Sequence, residues 1–365
     1  MDKMIQKKLI IAGGGTGGHV LAGIAVANVW EKKNQASSVL FIGARGRFEE
    51  KWIPQSGYSL KRLSLGGLNR VTLKKKILTL LQLPIAFMYC VYWLIQFKPT
   101  HILGVGSYSS GPVLLTAWIL NRLKILKAEL AILEQNSIPG LTHRILGILV
   151  KKIFIAYSET EAYFPKNKVY LTGNPIRFSI KKMPPALHQP FTIFVFGGSQ
   201  GAVGINQLVI AALEHLKDYS FQWIHQTGRQ DYHQVKNAYL KNHIPARVEP
   251  FIETIAPCYQ QASLLICRAG ASTLAEISAV GRAAILIPLP TATHQHQLKN
   301  AQIYARLGAS ILFEQNQVQV KTLVKCILEL AENPQKIRMM EKMVTKLYRP
   351  NAAKGLVDTL LNGYL

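Results

Sequence analysis

Two glycine-rich turns of the same design, one in each half of the chain, constrain the fold more than any other feature. Gly13-Gly14-Gly15-Thr16-Gly17-Gly18-His19 follows the apolar run Leu9–Ala12. Gly197-Gly198-Ser199-Gln200-Gly201 follows the alternating, β-branched run Phe191–Phe196. Each reads as strand, tight turn and helix, an order that aims unpaired backbone N–H groups and a helix dipole at an anion. Two such turns a domain length apart predict two Rossmann-like halves of parallel sheet, facing each other across a cleft.

The rest of the sequence supports that division. Strand-like runs (Ser38–Ile42, His101–Val105, Ala131–Leu133, Lys152–Ile155, Lys168–Leu171, then Phe221–His225, Arg247–Glu249, Leu264–Cys267 and Ala284–Ile287) alternate with helical patterns such as Ala22–Lys33, Ile205–His215 and Ser272–Val280. This alternation implies parallel sheets with right-handed crossovers, an α/β fold. The expected boundary lies at Gly173-Asn174-Pro175, ahead of the poorly periodic Lys181–Pro190. The expected organisation is therefore 1–173, 174–348 and a C-terminal helix over 349–365 that packs back on the first domain.

Charge and cysteine usage narrow the function. The 365 residues carry 43 Lys and Arg against 19 Asp and Glu, a formal charge of +24. Such an excess either attracts polyanions (nucleic acid, an anionic membrane face, phosphorylated substrates) or merely keeps a surface solvated. The four cysteines, Cys90, Cys258, Cys267 and Cys326, are scattered and fit neither a zinc site nor a disulfide framework. The basic N-terminus is followed by too short an apolar run for a secretory signal, so the chain reads as cytoplasmic.

One segment bears on that reading. Ile77–Phe97 is 21 residues without a charge, flanked by Lys74-Lys75-Lys76 and Lys98. Its length permits a membrane span, but Gln82, Pro84 and Gln96 interrupt it and a strand follows at once. The alternatives are a buried helix or a helix pair on the membrane surface. In the last case lysines bind lipid headgroups while Ile77, Leu80, Leu81, Phe87 and Trp118 dip into the lipid.

Several side chains could carry chemistry. His19 would sit at a helix N-terminus, where the dipole favours the neutral imidazole that a general base needs. A helix-capping or phosphate-binding role fits the same spacing. Glu276 follows Gly270 and Ser272-Thr273 after an apolar strand, placed either to hold a ribose diol or to complete a capping box. His294-x-His296 lacks a clustered third ligand, so no metal is expected. Gly13-x-Gly15-x-x-Gly18 also matches a dinucleotide fingerprint, but the second strand ends in Gly43-Ala44-Arg45 without the ribose acid, leaving only an NADP variant. Nucleic-acid binding would explain the charge but not the glycine turns, and no reader motif is present.

Eight segments in order extend the pattern over almost the whole chain: GGGTGGH (Gly13–His19), GSYSSGP (Gly106–Pro112), EQN (Glu134–Asn136), TGNPIR (Thr172–Arg177), GGSQGAVGIN (Gly197–Asn206), FIE (Phe251–Glu253), CRAGASTLAE (Cys267–Glu276) and HQLKNA (His296–Ala301). Together they resemble the bacterial family of N-acetylglucosaminyltransferases that form lipid II in peptidoglycan synthesis. The resemblance implies the GT-B fold, UDP-GlcNAc as donor, lipid I as acceptor and no cofactor or metal. It also implies a β1→4 product formed with inversion, at the cytoplasmic face of the plasma membrane. It further implies wall-synthesis proteins as partners, and no nucleic acid.

Carried over residue by residue, the resemblance assigns donor contacts to Thr16, Gly17, Gly18, Asn136, Arg177, Ser199, Ile252, Ala271, Ser272, Thr273, Leu274, Ala275, Glu276 and Gln297. It assigns the proton-accepting role to His19, with Glu134 as a second candidate. The acceptor's diphosphate falls to Gly14, Gly15, Ser107 and Tyr108. The chain departs from the family where Ser107 replaces a glycine, where Leu133 replaces a histidine, and in the loop Thr291–His294, which is one residue longer.

Overall fold

The computed structural model describes residues 7–34, 37–45, 47–65, 73–177, 180, 189–198 and 200–362, with backbone only at 47 and 73–80. Ser199 and the side chains of Lys74–Lys76, Ile77 and Leu80, all singled out above, lie outside the described residues. The chain divides into two compact units, Met1–Arg177 with Arg349–Leu365, and Phe178–Tyr348.

The first unit is built on strands β1 (Lys8–Gly13), β2 (Ser38–Ala44), β3 (Ser59–Leu63), β4 (His101–Gly106), β5 (Glu129–Glu134), β6 (Lys152–Ile155) and β7 (Val169–Leu171). Among the described residues they form a single sheet of order β3-β2-β1-β4-β5-β6-β7, every pairing parallel. The central strands are buried on both faces, which is why Leu9–Ala12 and Ile102–Val105 read as continuous rather than alternating apolar runs. One face packs Ile10, Ile42, Ile102 and Ile132 against the helices Leu73–Phe97 and Ser110–Arg122. The other packs Leu9, Ile11, Phe41 and Leu133 against Trp30 of the helix Gly17–Lys33. The helix Ala352–Leu361 joins that second core through Leu356, Val357 and Leu360, and Lys33 pairs with Asp358.

The second unit repeats the plan with β8 (Thr192–Phe196), β9 (Gln222–Gln226), β10 (Ala246–Glu249), β11 (Leu264–Cys267), β12 (Ala283–Leu286) and β13 (Ile311–Leu312). The order is β10-β9-β8-β11-β12-β13, again parallel throughout. In both sheets the order reverses beside the strand that feeds a glycine turn, between β1 and β4 and between β8 and β11. Crevices at such switch points, outside the strands' carboxyl ends, are where open α/β sheets bind ligands.

The apolar segment over 77–97 belongs to the 25-residue helix Leu73–Phe97. Ala86, Cys90, Trp93 and Leu94 point into the core, while Leu81, Ile85, Met88, Tyr92 and Ile95 face outward, with Met88 72% exposed. Among the described residues no helix is long and apolar enough to cross a membrane. Trp118 is half-buried against the core, with the Arg122 guanidinium 5.3 Å above its ring.

Candidate active site

In the first unit the glycine turn leaves β1 at the switch point. Gly13, Gly14 and Gly15 all take positive φ (138°, 155° and 78°), conformations that residues with a side chain rarely adopt. Thr16 then caps the helix Gly17–Lys33, its hydroxyl accepting from the His19 N–H at 3.5 Å. The His19 ring lies against Gly106 at the end of β4, where a Cβ would come within 2.6 Å of Nε2. His19 Nδ1 is 3.0 Å from the Gly14 carbonyl and 3.1 Å from Thr16 Oγ1. A carbonyl can only accept, so Nδ1 carries the proton and Nε2 keeps the basic lone pair.

Ser107 follows with φ 73°, a left-handed conformation that glycine adopts without cost. Its carbonyl accepts from Ser110 Oγ at 2.8 Å, and Tyr108 donates to the Leu65 carbonyl at 3.2 Å. Burial and the nearby Glu49 charge push the Tyr108 phenol up. Glu49 was not singled out in the sequence. It sits on the helix Arg47–Gln55, is 1% exposed, and its carboxylate accepts the Gly15 N–H. The Gly15 N–H therefore already has an anionic partner.

At the end of the neighbouring β5, Glu134 is buried and surrounded by donors. Oε1 accepts from the Asn136 N–H at 2.9 Å and from Asn136 Nδ2 at 3.2 Å. Oε2 accepts from His143 Nδ1 at 2.9 Å and the Gly140 N–H at 3.3 Å. Burial alone would raise this carboxyl, but the His143 bond and charge and the Asn136 N–H outweigh it and hold it low. A carboxylate so engaged is a poor proton acceptor; it fixes Asn136 in place. Leu133, on the opposite face of β5, is part of the apolar core. Arg177, half-buried, lies in the irregular segment beyond β7.

In the second unit, the strand ends bring most of the residues that the resemblance assigns to the donor onto one edge. The turn after β8 closes through the Gly201 N–H donating to the Gly198 carbonyl at 3.1 Å, ahead of the helix Val203–Leu216. Gly201 passes so close to β9 that a Cβ would lie 2.1 Å from the Thr227 carbonyl. Next along the edge, β11 runs into the helix Ala271–Val280, whose N-cap is Gly270 and which has no side-chain cap. The capping-box alternative for Glu276 is thus not realised. The Glu276 carboxylate is 5% exposed and accepts from the Tyr259 hydroxyl at 3.1 Å. Ser272, Thr273 and Ala275 share its helix at intermediate exposure, with Ala271 and Leu274 buried.

Arg268 ties this helix start to the exit of β12, donating to the Ile287 and Pro288 carbonyls at 3.0 and 3.1 Å and to Gln315 Oε1 at 2.6 Å. Burial lowers its guanidinium to about 10. Gln297 Oε1 accepts from the Leu289 N–H at 3.0 Å. Ile252, 3% exposed, stands beyond β10, its N–H donating to Gln226 Oε1 at 2.9 Å. Gln226, Tyr259 and His143 were missed in the sequence; a polar residue closing a buried strand, as in Trp223-Ile224-His225-Gln226, is the signal that could have found the first.

Comparison with known proteins agrees with this arrangement. Residues 9–155 match the glycosyltransferase family 28 N-terminal domain, and residues 192–356 match its C-terminal domain. A UDP-N-acetylglucosamine–N-acetylmuramyl-(pentapeptide) pyrophosphoryl-undecaprenol N-acetylglucosamine transferase of Myxococcus xanthus is 39% identical over 360 residues, spanning 97% of this chain and 92% of its own. The enzyme of the same description from Syntrophus aciditrophicus is 38% identical, spanning 97% and 98%. The crystal structure of Acinetobacter baumannii MurG superposes with a TM-score of 0.76 at 28% identity, covering 98% of this chain and 99% of that one. With both family domains matched and these relatives aligned almost end to end, the chain belongs to glycosyltransferase family 28, among the UDP-N-acetylglucosamine–N-acetylmuramyl-(pentapeptide) pyrophosphoryl-undecaprenol N-acetylglucosamine transferases.

Proposed function

We infer that this chain transfers GlcNAc from UDP-GlcNAc to the 4-hydroxyl of MurNAc in undecaprenyl-pyrophosphoryl-MurNAc-pentapeptide, forming lipid II. The observation that carries this reading is the second unit's strand-end edge, where a glycine turn, Ile252 and the Glu276 helix follow the carboxyl ends of β8, β10 and β11. The reaction is a single in-line displacement at the anomeric carbon. The acceptor oxygen bonds to that carbon, the bond to the UDP oxygen breaks, and the α-linked donor gives a β1→4 product.

His19 Nε2 takes the acceptor hydroxyl's proton, its tautomer set by the Gly14 carbonyl. Glu134 supports this chemistry indirectly by fixing Asn136. The leaving UDP gains negative charge, which the turn at Gly197–Gly201, including Ser199, and the N-terminus of the helix Val203–Leu216 stabilise with N–H groups and dipole. No metal is needed for that step. The Glu276 carboxylate accepts from the uridine ribose hydroxyls, and Gln297 contacts the donor sugar. Gly14, Ser107 and Tyr108 receive the acceptor's diphosphate, with Gly15 available once Glu49 yields its N–H.

The acceptor is anchored in lipid, and the first unit offers a surface for it. Leu81, Ile85, Met88, Tyr92 and Ile95 form one outward stripe, and the exposed Arg122, Lys124 and Lys127 lie at and beyond the end of the adjacent helix. Such a surface docks peripherally on an anionic leaflet, with Lys74–Lys76 adding charge. Titration with UDP-GlcNAc and with NADP tests the donor assignment: UDP-GlcNAc raises the melting temperature and NADP does not. Stabilisation by NADP alone would contradict it. Binding to anionic vesicles should weaken with salt; salt-independent binding would contradict the surface assigned.

A further inference from the structure

We propose that Gln226 is a positioning residue for the donor, coupling the turn that receives the diphosphate to the loop that receives the uracil. The proposal rests on the donor reading above and adds to it a residue that touches neither substrate.

Gln226 closes β9 and is 3% exposed. Its Nε2 donates to the Gly198 carbonyl at 2.8 Å, and its Oε1 accepts from the Ile252 N–H at 2.9 Å. The amide's orientation follows from chemistry, since a carbonyl can only accept and a backbone N–H can only donate. Both ends are satisfied, so the side chain is locked between the two loops. The Gly198 carbonyl is also the one that closes the glycine turn by accepting the Gly201 N–H. Moving Gln226 therefore moves the turn.

The base of the same turn is held from β9 by other means. Gly201 packs on the Thr227 carbonyl, and Asn206, in the first turn of the following helix, donates to that carbonyl at 2.8 Å and to Asp231 at 2.7 Å. Those contacts fix where the turn is rooted. Gln226 fixes its tip relative to Ile252, and hence the spacing between the uracil and diphosphate positions. A nucleoside diphosphate that spans both positions feels that spacing; a nucleoside does not.

The test uses the full-length protein, with UDP and uridine binding measured by calorimetry for wild type, Gln226→Glu and Gln226→Leu. Gln226→Glu keeps the acceptor for Ile252 but sets a carboxylate against the Gly198 carbonyl. It should weaken UDP about tenfold while leaving uridine unchanged, with the KM for UDP-GlcNAc rising in step and kcat and the acceptor KM unaltered. Gln226→Leu should weaken both ligands, UDP the more. Equal losses of UDP and uridine in Gln226→Glu, or no loss of UDP in either folded variant, would overturn the coupling. Failure of the wild type to bind UDP would instead overturn the donor reading and this proposal with it.

Discussion

The two glycine turns leave equivalent strands of equivalent sheets, yet their supports differ in charge. Beneath the first lies the Glu49 carboxylate, which takes the Gly15 N–H. Beneath the second lies the neutral Gln226 amide, which donates to a carbonyl and leaves the turn's anion-facing side without a negative neighbour from that residue. Both turns lead into a helix N-terminus, but only the first sets a histidine ring, against Gly106. On the proposed function, one Rossmann-like plan serves proton transfer at the first turn and a departing diphosphate at the second. The comparison teaches that the loop motif alone does not assign a ligand. The residues packed against each loop differ and have to be read with it.

Removing the histidine should break the comparison most severely. His19→Ala is expected to lower kcat by about 10²–10⁴-fold, while calorimetry finds UDP affinity unaltered. Unchanged turnover would place the base elsewhere. On the second unit, Glu276→Ala should weaken UDP by roughly 30-fold, the loss of about 2 kcal/mol of charge-assisted hydrogen bonding. Binding of inorganic pyrophosphate is the control that should not move.

Smaller changes sharpen the contrast between the supports. Glu49→Gln keeps an acceptor for the Gly15 N–H and removes the charge, so the acceptor KM should fall by about threefold to tenfold with UDP affinity constant. A rise in acceptor KM would show that the carboxylate, not merely its oxygen, is required. Ser107→Gly should stabilise the protein by about 1 kcal/mol, because glycine relieves the left-handed backbone strain at that position. Thermal denaturation measures it, and destabilisation would mean the serine side chain compensates for its conformation.

Much of the fold was legible because parallel strands buried on both faces leave unbroken apolar runs, and glycine turns mark where they end. The strand Ser59–Leu63 was not, since a charged, largely exposed edge strand carries no apolar alternation. Nor was β13, only two residues long. The 77–97 segment shows another limit: composition gave its hydrophobicity, but only packing distinguishes buried Cys90 and Leu94 from exposed Met88 and Tyr92. At the site, glycine spacing and the eight motifs pointed to the strand ends. Glu49 and Gln226 act through partners 26 to 34 residues away, so their pairings could not be read from the sequence even where, as at Gln226, a polar residue closing a buried strand marks the position.

The most direct test is transfer of radiolabelled GlcNAc from UDP-GlcNAc to a short-chain lipid I analogue in the presence of EDTA, with the product's glycosidic linkage read by NMR. A labelled, β1→4-linked disaccharide-lipid is the expected result and would establish donor, acceptor, inversion and metal independence together. An α-linked product, or no transfer from a protein that binds UDP-GlcNAc, would contradict the account.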